Sequence, residues 1–231
     1  MEPIITLADR VNQVRRNIDA AAEAWAHRVK LICVSKNHPA EKINPLKELG
    51  YTDLGENRVQ EILAKQPELA EDFQIHLIGQ LQTNKVKYII DKVCQIQSVD
   101  RMSLAQEIDR QAQKKGLVMP VLLQISPVGE PQKGGMAPEE ALPFLREAAK
   151  LPGLRVEGLM AVMPLTEDQQ LLETLFGQMR SLFERLRAEA VNGVQMNELS
   201  MGMSHDYELA ARMGATTVRV GSAIFGPRNY C

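Results

Sequence analysis

The sequence predicts an α/β fold, a single-domain (β/α)8 TIM barrel with an additional N-terminal helix. Two observations lead there. Eight short β-rich runs alternate with helical segments along 231 residues, which implies a closed parallel sheet near the short end of that fold's range. No shift in composition and no long linker divides residues 1–231, so one domain holds them all. An open doubly wound sheet is the alternative arrangement of the same elements.

Each element has its own justification. Residues 4–29 carry Ile4, Leu7, Val11, Val14, Ile18, Ala21, Ala22 and Trp25 at three- and four-residue steps, one face of an opening helix. Residues 30–36 form the first strand: five uncharged, mostly apolar residues in a row and then Lys36, read as buried on both faces. Pro39 stops it and opens a short helix that Gly50 ends. A second strand at 51–57 leads into a helix over 58–66, and a third strand, 74–79, into a helix over 83–92. The fourth strand is 95–99, after which Asp100 caps a helix over 101–115. The fifth, 119–125, precedes a Pro- and Gly-rich loop, 126–138, and a helix over 138–150. The sixth, 154–162, precedes a long helix, 167–190, whose stripe of Leu171, Leu172, Leu175, Met179, Leu182, Phe183 and Leu186 reads as core packing. The seventh strand is 198–203, followed by a helix over 206–213 that stops at Gly214, and the eighth is 216–225.

Composition excludes several classes of function. At 45% hydrophobic and 4% aromatic, the core must be aliphatic and methionine-filled. A net charge of -2 gives no general attraction to nucleic acid or to an anionic membrane. Cys33, Cys94 and Cys231 are too far apart for a disulfide framework or a zinc site, and Cys33 reads as a small core residue. The first residues lack the basic and apolar regions of a signal peptide, and no apolar run approaches the ~20 residues that cross a bilayer. A soluble cytoplasmic protein is expected. With no apolar patch unaccounted for, it is expected to be a monomer.

In such a barrel, chemistry sits at the carboxyl ends of the strands, with phosphates often held after the seventh and eighth. An ammonium at the mouth of an apolar strand holds its proton less firmly than the usual value of roughly 10.4, so Lys36 is a candidate Schiff-base former. After the seventh strand come Ser200, Met201, Gly202, Met203 and Ser204, supplying hydroxyls and an unhindered backbone ahead of a helix. The eighth carries Arg219 and Gly221 on one face, with Ser222 as a further donor. A buried Arg219 needs acceptors: either a carboxylate such as Glu56 or a ligand atom such as a pyridine nitrogen. Asn57 could face the same ligand. His76, inside an apolar strand, reads more readily as a hydrogen-bonded core residue, and His38 and His205 lie near the rim. A lysine for an imine, a phosphate cradle and a donor to a ring nitrogen together describe pyridoxal 5′-phosphate.

The chain also resembles the pyridoxal phosphate homeostasis protein family from residue 5 to 230. The matching stretches are Val34-Ser35-Lys36, Leu54-Gly55-Glu56-Asn57, His76-Leu77-Ile78-Gly79 and Leu81-Gln82-Thr83-Asn84-Lys85. Further on come Gly158-Leu159-Met160-Ala161, the run from Leu199 to Ser204 and that from Val218 to Gly226. Departures are Gln80 where the family usually has proline, an irregular 126–135 loop, and His205 before Asp206. The resemblance implies a barrel similar to the amino-terminal domain of alanine racemases, with the cofactor on Lys36 and Arg219 facing the pyridine nitrogen. It implies Ser200, Ser204, Gly221 and Ser222 around the phosphate, and Asn57, His76 and Met201 as further cofactor contacts. Lys133 is the competing lysine.

An arginine opposite the ring nitrogen weakens the cofactor as an electron sink. Alanine racemases, which the chain resembles here, add a tyrosine base from a further domain. The chain reaches Cys231 just past the eighth strand, so Lys36 is expected to be its one well-placed base. The expected function is therefore storage and delivery of pyridoxal phosphate, with vitamin B6 homeostasis, indirect effects on amino- and keto-acid pools, and transient hand-over to apo PLP-dependent enzymes. A weak amino-acid racemase-type enzyme is the alternative, and a cofactor-free Schiff-base aldolase or scaffold the third possibility.

Overall fold

The computed structural model describes residues 5–129 and 134–226. Eight parallel strands close a barrel in chain order: β1 (Lys30–Val34), β2 (Asp53–Glu56), β3 (Gln74–Leu77), β4 (Gln95–Val99), β5 (Met119–Ile125), β6 (Leu154–Ala161), β7 (Glu198–Ser200) and β8 (Thr217–Val220). The circle closes where β8 lies along β1, with Ile32 opposite Arg219 and Cys33 opposite Val220. Between and around the strands run α1 (Leu7–Ala21), α2 (Ala40–Ile43), α3 (Pro45–Glu48), α4 (Val59–Lys65), α5 (Val86–Ile89), α6 (Met102–Lys115), α7 (Ala141–Ala148), α8 (Gln169–Ala188), α9 (Tyr207–Arg212) and α10 (Ser222–Phe225).

Side chains alternate along each strand, so a barrel has an inner set and an outer set. The outer set meets the helices in an aliphatic layer that includes Leu31, Cys33, Val218 and Val220, with Phe176 and Phe183 of α8 among its largest buried side chains. The inner set is unusual. The interior of such a barrel is ordinarily filled by branched aliphatic residues. Here only part of it is apolar: Ile32, Leu122 and Met160 share rows with Arg219, Glu198 and Ser200 through the strand register. The rest is a buried polar column of His76, Gln95, Gln97, Glu198, Ser200, Thr217 and Arg219.

Several elements are shorter than their sequence patterns suggest. The opening helix stops at Ala21, so its stripe does not reach Trp25. Trp25 turns away instead, its Nε1 donating to Arg212 O at 3.0 Å and its ring lying where a Cβ on Gly214 would be, 2.7 Å from Cζ2. Pro45, which lacks an N–H, splits the expected helix after β1 into α2 and α3. Asp100 does not cap α6; its carboxylate accepts the N–H of Gly135 at 3.3 Å and pairs with Arg101, tying the loop after β5 to the end of β4. At the end of β8, which stops at Val220, the expected strand gives way to a helix. Ser222–Phe225 is helical, an apolar run whose length and composition suit either state. Among the described residues no helix is long and apolar enough to cross a membrane, and no group of three or more His, Cys, Asp or Glu is placed to hold a metal ion.

Candidate functional site

At the carboxyl ends of β1, β2, β3, β6, β7 and β8 lies a cavity of about 230 Å³. Its polar lining is Lys36, Asn57, Ser204, His205, Arg219 and Ser222, with Gly221 between the last two; Val34, Ile78, Val162 and Met203 form its apolar wall. Lys36 sits two residues past the end of β1, in a turn rather than on the strand. Strand pairing carries on just far enough to hold that turn, with Ser35 N donating to Gly55 O at 3.1 Å. Asn57 stands at the mouth of β2, and a Cβ on Gly79 would lie 2.4 Å from Asn57 O, so only glycine lets β2 and β3 approach this closely there.

Arg219 is buried to within 3% of its surface, yet it makes no ion pair among the described residues. Its Nη1 donates to Ser200 Oγ at 2.6 Å and its Nη2 to Ala161 O at 2.7 Å. Glu56, the alternative partner in the sequence reading, lies elsewhere, bonded to Ser35 and Lys65. Burial pulls the guanidinium pKa down to about 10, against the pull of Asp206 and Glu198, so the group stays charged at neutral pH. Two of its five N–H groups are thus engaged, and its side chain still lines the cavity.

Ser200 and Met201 do not line that cavity; both are fully buried, Ser200 in the polar column and Met201 in the apolar layer. Ser200 donates its single proton to Gln97 Oε1 at 2.8 Å while accepting from Arg219, so none remains for a phosphate oxygen. Ser204 differs. Its Oγ accepts the Gly221 N–H at 3.0 Å, which leaves its O–H to donate into the cavity. Ser222 is exposed at the mouth. His76 lies well below the cavity in the polar column, between Asp53 Oδ1 at 2.8 Å and Gln95 Oε1 at 3.1 Å. Burial opposes its charge, but the bond to Asp53 and the nearby Cys94 outweigh it and lift the pKa to about 10. Both ring nitrogens face acceptor oxygens, as an imidazolium requires.

Three features escaped the sequence reading. Gln95 and Gln97 support the site from below, and their signal was two glutamines at alternate positions of a short strand, which puts both on one face. His205 lines the cavity rather than only the rim. His38 stacks on Phe225 with ring centroids 4.7 Å apart, joining the lysine turn to α10. Lys133 lies outside the described residues.

Fold and cavity together define a class: parallel barrels with a lysine after the first strand and an arginine and an unhindered glycine at the last. A family model described as alanine racemase, N-terminal domain, matches residues 10–229. The pyridoxal phosphate homeostasis protein of Aquifex aeolicus is 40% identical, over 96% of this chain and 98% of that protein. That of Pseudomonas aeruginosa is 39% identical, over 97% of each. The chain belongs to the pyridoxal phosphate homeostasis protein family. PipY of Synechococcus elongatus, solved with PLP bound, superposes with a TM-score of 0.86 at 35% identity, covering 96% of this chain and all of that one. Alanine racemase of Clostridium difficile shares the fold, at a TM-score of 0.73, 16% identity and 61% of its own length.

Proposed function

We propose that this chain binds pyridoxal 5′-phosphate in the cavity above β1 and β8, carries it covalently on Lys36, and stores and delivers it within a cytoplasmic vitamin B6 pool. The observation that carries the reading is that Lys36, Arg219, Ser204 and Gly221 line one small cavity, although they come from opposite ends of the chain. The relatives' names and the PLP-bound PipY structure support the same ligand.

The donor set fits the group. When bound, the cofactor supplies an aldehyde that condenses reversibly with a primary amine, releasing water. The chain's own residues do the rest. Lys36 offers that amine from a turn held outside the strand ladder. The Ser204 hydroxyl, fixed through its oxygen by the Gly221 amide, has its proton left for a phosphate oxygen in the cavity, and Ser222 would add a second hydroxyl at the mouth. Gly221 itself cannot be larger without crowding Val34, whose O and Cβ would both lie 3.2 Å from an added Cβ. Arg219 lines the cavity as a protonated donor, and a ring nitrogen held beside it would stay an acceptor. Asn57 completes the rim. Ser200 and His76 act from beneath as support, and Met201 from the apolar layer. One domain spanning residues 1–231 and a monomer suffice for this role. The partners are the cofactor and, transiently, apo PLP-dependent enzymes, with neither nucleic acid nor membrane involved.

Added pyridoxal phosphate will give the purified protein a near-ultraviolet to violet band that Lys36→Ala abolishes and Lys133→Ala keeps. A wild-type protein that stays colourless would remove the reading. The second reading, a weak amino-acid racemase-type enzyme, draws on His205 as a second titratable group in the same cavity. Turnover of alanine or serine that His205→Ala eliminates would establish it; its absence in the wild type leaves the carrier.

A further inference from the structure

We propose that Glu56, Glu61 and Lys65 form a positioning clamp that holds the Lys36 turn in its reactive placement. The inference rests on the reading that Lys36 carries the ligand, and it goes beyond it in naming what holds that lysine. The cluster lies in the layer between β2 and α4, outside the cavity. Lys65, the last residue of α4, donates to Ser35 O at 2.7 Å and pairs with Glu56 Oε1 and Glu61 Oε1, each at 2.7 Å. Ser35 Oγ donates to Glu56 Oε1 at 2.6 Å. On the other side of the lysine, Asn37 N donates to Glu61 Oε1. The residues immediately before and after Lys36 are therefore both tied to one set of three charges. Asn37 holds a left-handed φ of +64°, a conformation that asparagine tolerates better than most non-glycine residues and that the bond to Glu61 helps to fix.

Anchoring of α4 alone does not explain this cluster. Glu56 is 2% exposed and Lys65 9%, and the second oxygen of Glu56 has no hydrogen-bond partner. A buried ion pair with an unsatisfied carboxylate oxygen is a poor source of stability, and apolar residues of the same size would hold helix to strand as well or better. What apolar residues cannot do is grip the carbonyl of Ser35 and the amide of Asn37 at once. Those two grips fix where the Lys36 side chain starts.

The test uses Glu61→Gln, Glu61→Leu and Lys65→Met in the full chain. Glutamine keeps an acceptor oxygen for Asn37 without the charge; leucine keeps neither. In cofactor-free protein, amide hydrogen exchange at Asn37 should speed up at least tenfold in Glu61→Leu and Lys65→Met and stay near wild type in Glu61→Gln. In absorbance titrations with pyridoxal phosphate, the same two variants should attach it at least fivefold more slowly, with Glu61→Gln rescued. Exchange and attachment rates equal to wild type in folded Glu61→Leu would overturn the clamp, as would equal losses in the glutamine and leucine variants. Glu61 is partly exposed, so the comparison stands even where Lys65→Met fails to fold. A wild-type chain that attaches nothing at Lys36 would instead remove the parent reading, while the exchange result would still judge the clamp.

Discussion

Arg219 Nη1 donates to Ser200 Oγ at 2.6 Å, and the serine passes its own proton downward to Gln97 Oε1 at 2.8 Å. From there the donors run one way. Gln97 Nε2 donates to Gln95 Oε1 at 2.8 Å, and His76 donates to the same oxygen. The amide of Gln95 cannot turn over, because its Nε2 faces the carboxylates of Glu198 at 2.9 Å and Glu157 at 3.1 Å. A charge at the cavity floor is thus oriented by a chain of side chains reaching most of the way through the barrel. Buried networks of this kind hold geometry well when every member is satisfied and lose it when one is removed.

Gln97→Leu should show that dependence. The substitution removes the acceptor of a fully buried hydroxyl and a donor to Gln95, so we expect a loss of about 2 kcal/mol in urea unfolding. Arg219 then loses its fixed neighbour, and the apparent Kd for pyridoxal phosphate should rise roughly threefold to tenfold, the equivalent of ~1 kcal/mol. A variant with wild-type stability and affinity would show that the column does not support the site.

His76 makes stability depend on pH in a definite direction. Its folded pKa, about 10, lies above its ordinary 6.5, so the folded protein binds the proton more tightly than the unfolded chain does. The stabilisation is complete below about pH 6.5 and drains away as pH climbs toward 10, by on the order of 1 kcal/mol per unit. Urea midpoints measured between pH 6 and 9 should fall more steeply for the wild type than for His76→Gln. Parallel slopes would mean that Asp53 does not hold an imidazolium.

Gly79→Ala probes the close approach of β2 and β3. The new methyl would sit 2.4 Å from Asn57 O and 2.7 Å from Asn57 Cα, with no flexible side chain to give way. Backbone must move, costing about 1–3 kcal/mol, and Asn57 should shift out of the cavity wall. Thermal unfolding and a cofactor titration check both; an unchanged titration would remove Asn57 from the rim.

The barrel was readable because parallel strands and amphipathic helices have different periods, and β4 and β5 fall within their expected bounds. Ends were less readable. Val220 to Phe225 is apolar enough for strand or helix, and the change from one to the other falls at Gly221, where the chain passes close to Val34. Trp25 looked helical by spacing, whereas Gly214 and Arg212 claim it from α9. Lys36, Arg219, Ser204 and Gly221 could be placed near one another because barrel topology alone brings those strand ends together. Which hydroxyl has a proton left to donate could not: Ser200 and Ser204 are alike in sequence and differ only in what they already bond. The Glu56–Lys65 pair was likewise hidden, since an i,i+9 spacing across a strand–helix turn has no periodic signature.

One lysine, in the turn just past β1, is proposed to carry the cofactor. Borohydride reduction of the loaded protein, followed by peptide mass mapping, tests it directly. We predict a single reduced adduct, on the peptide containing Lys36, and none after Lys36→Ala; an adduct on Lys65, Lys133 or any other lysine with Lys36 unmodified would contradict it.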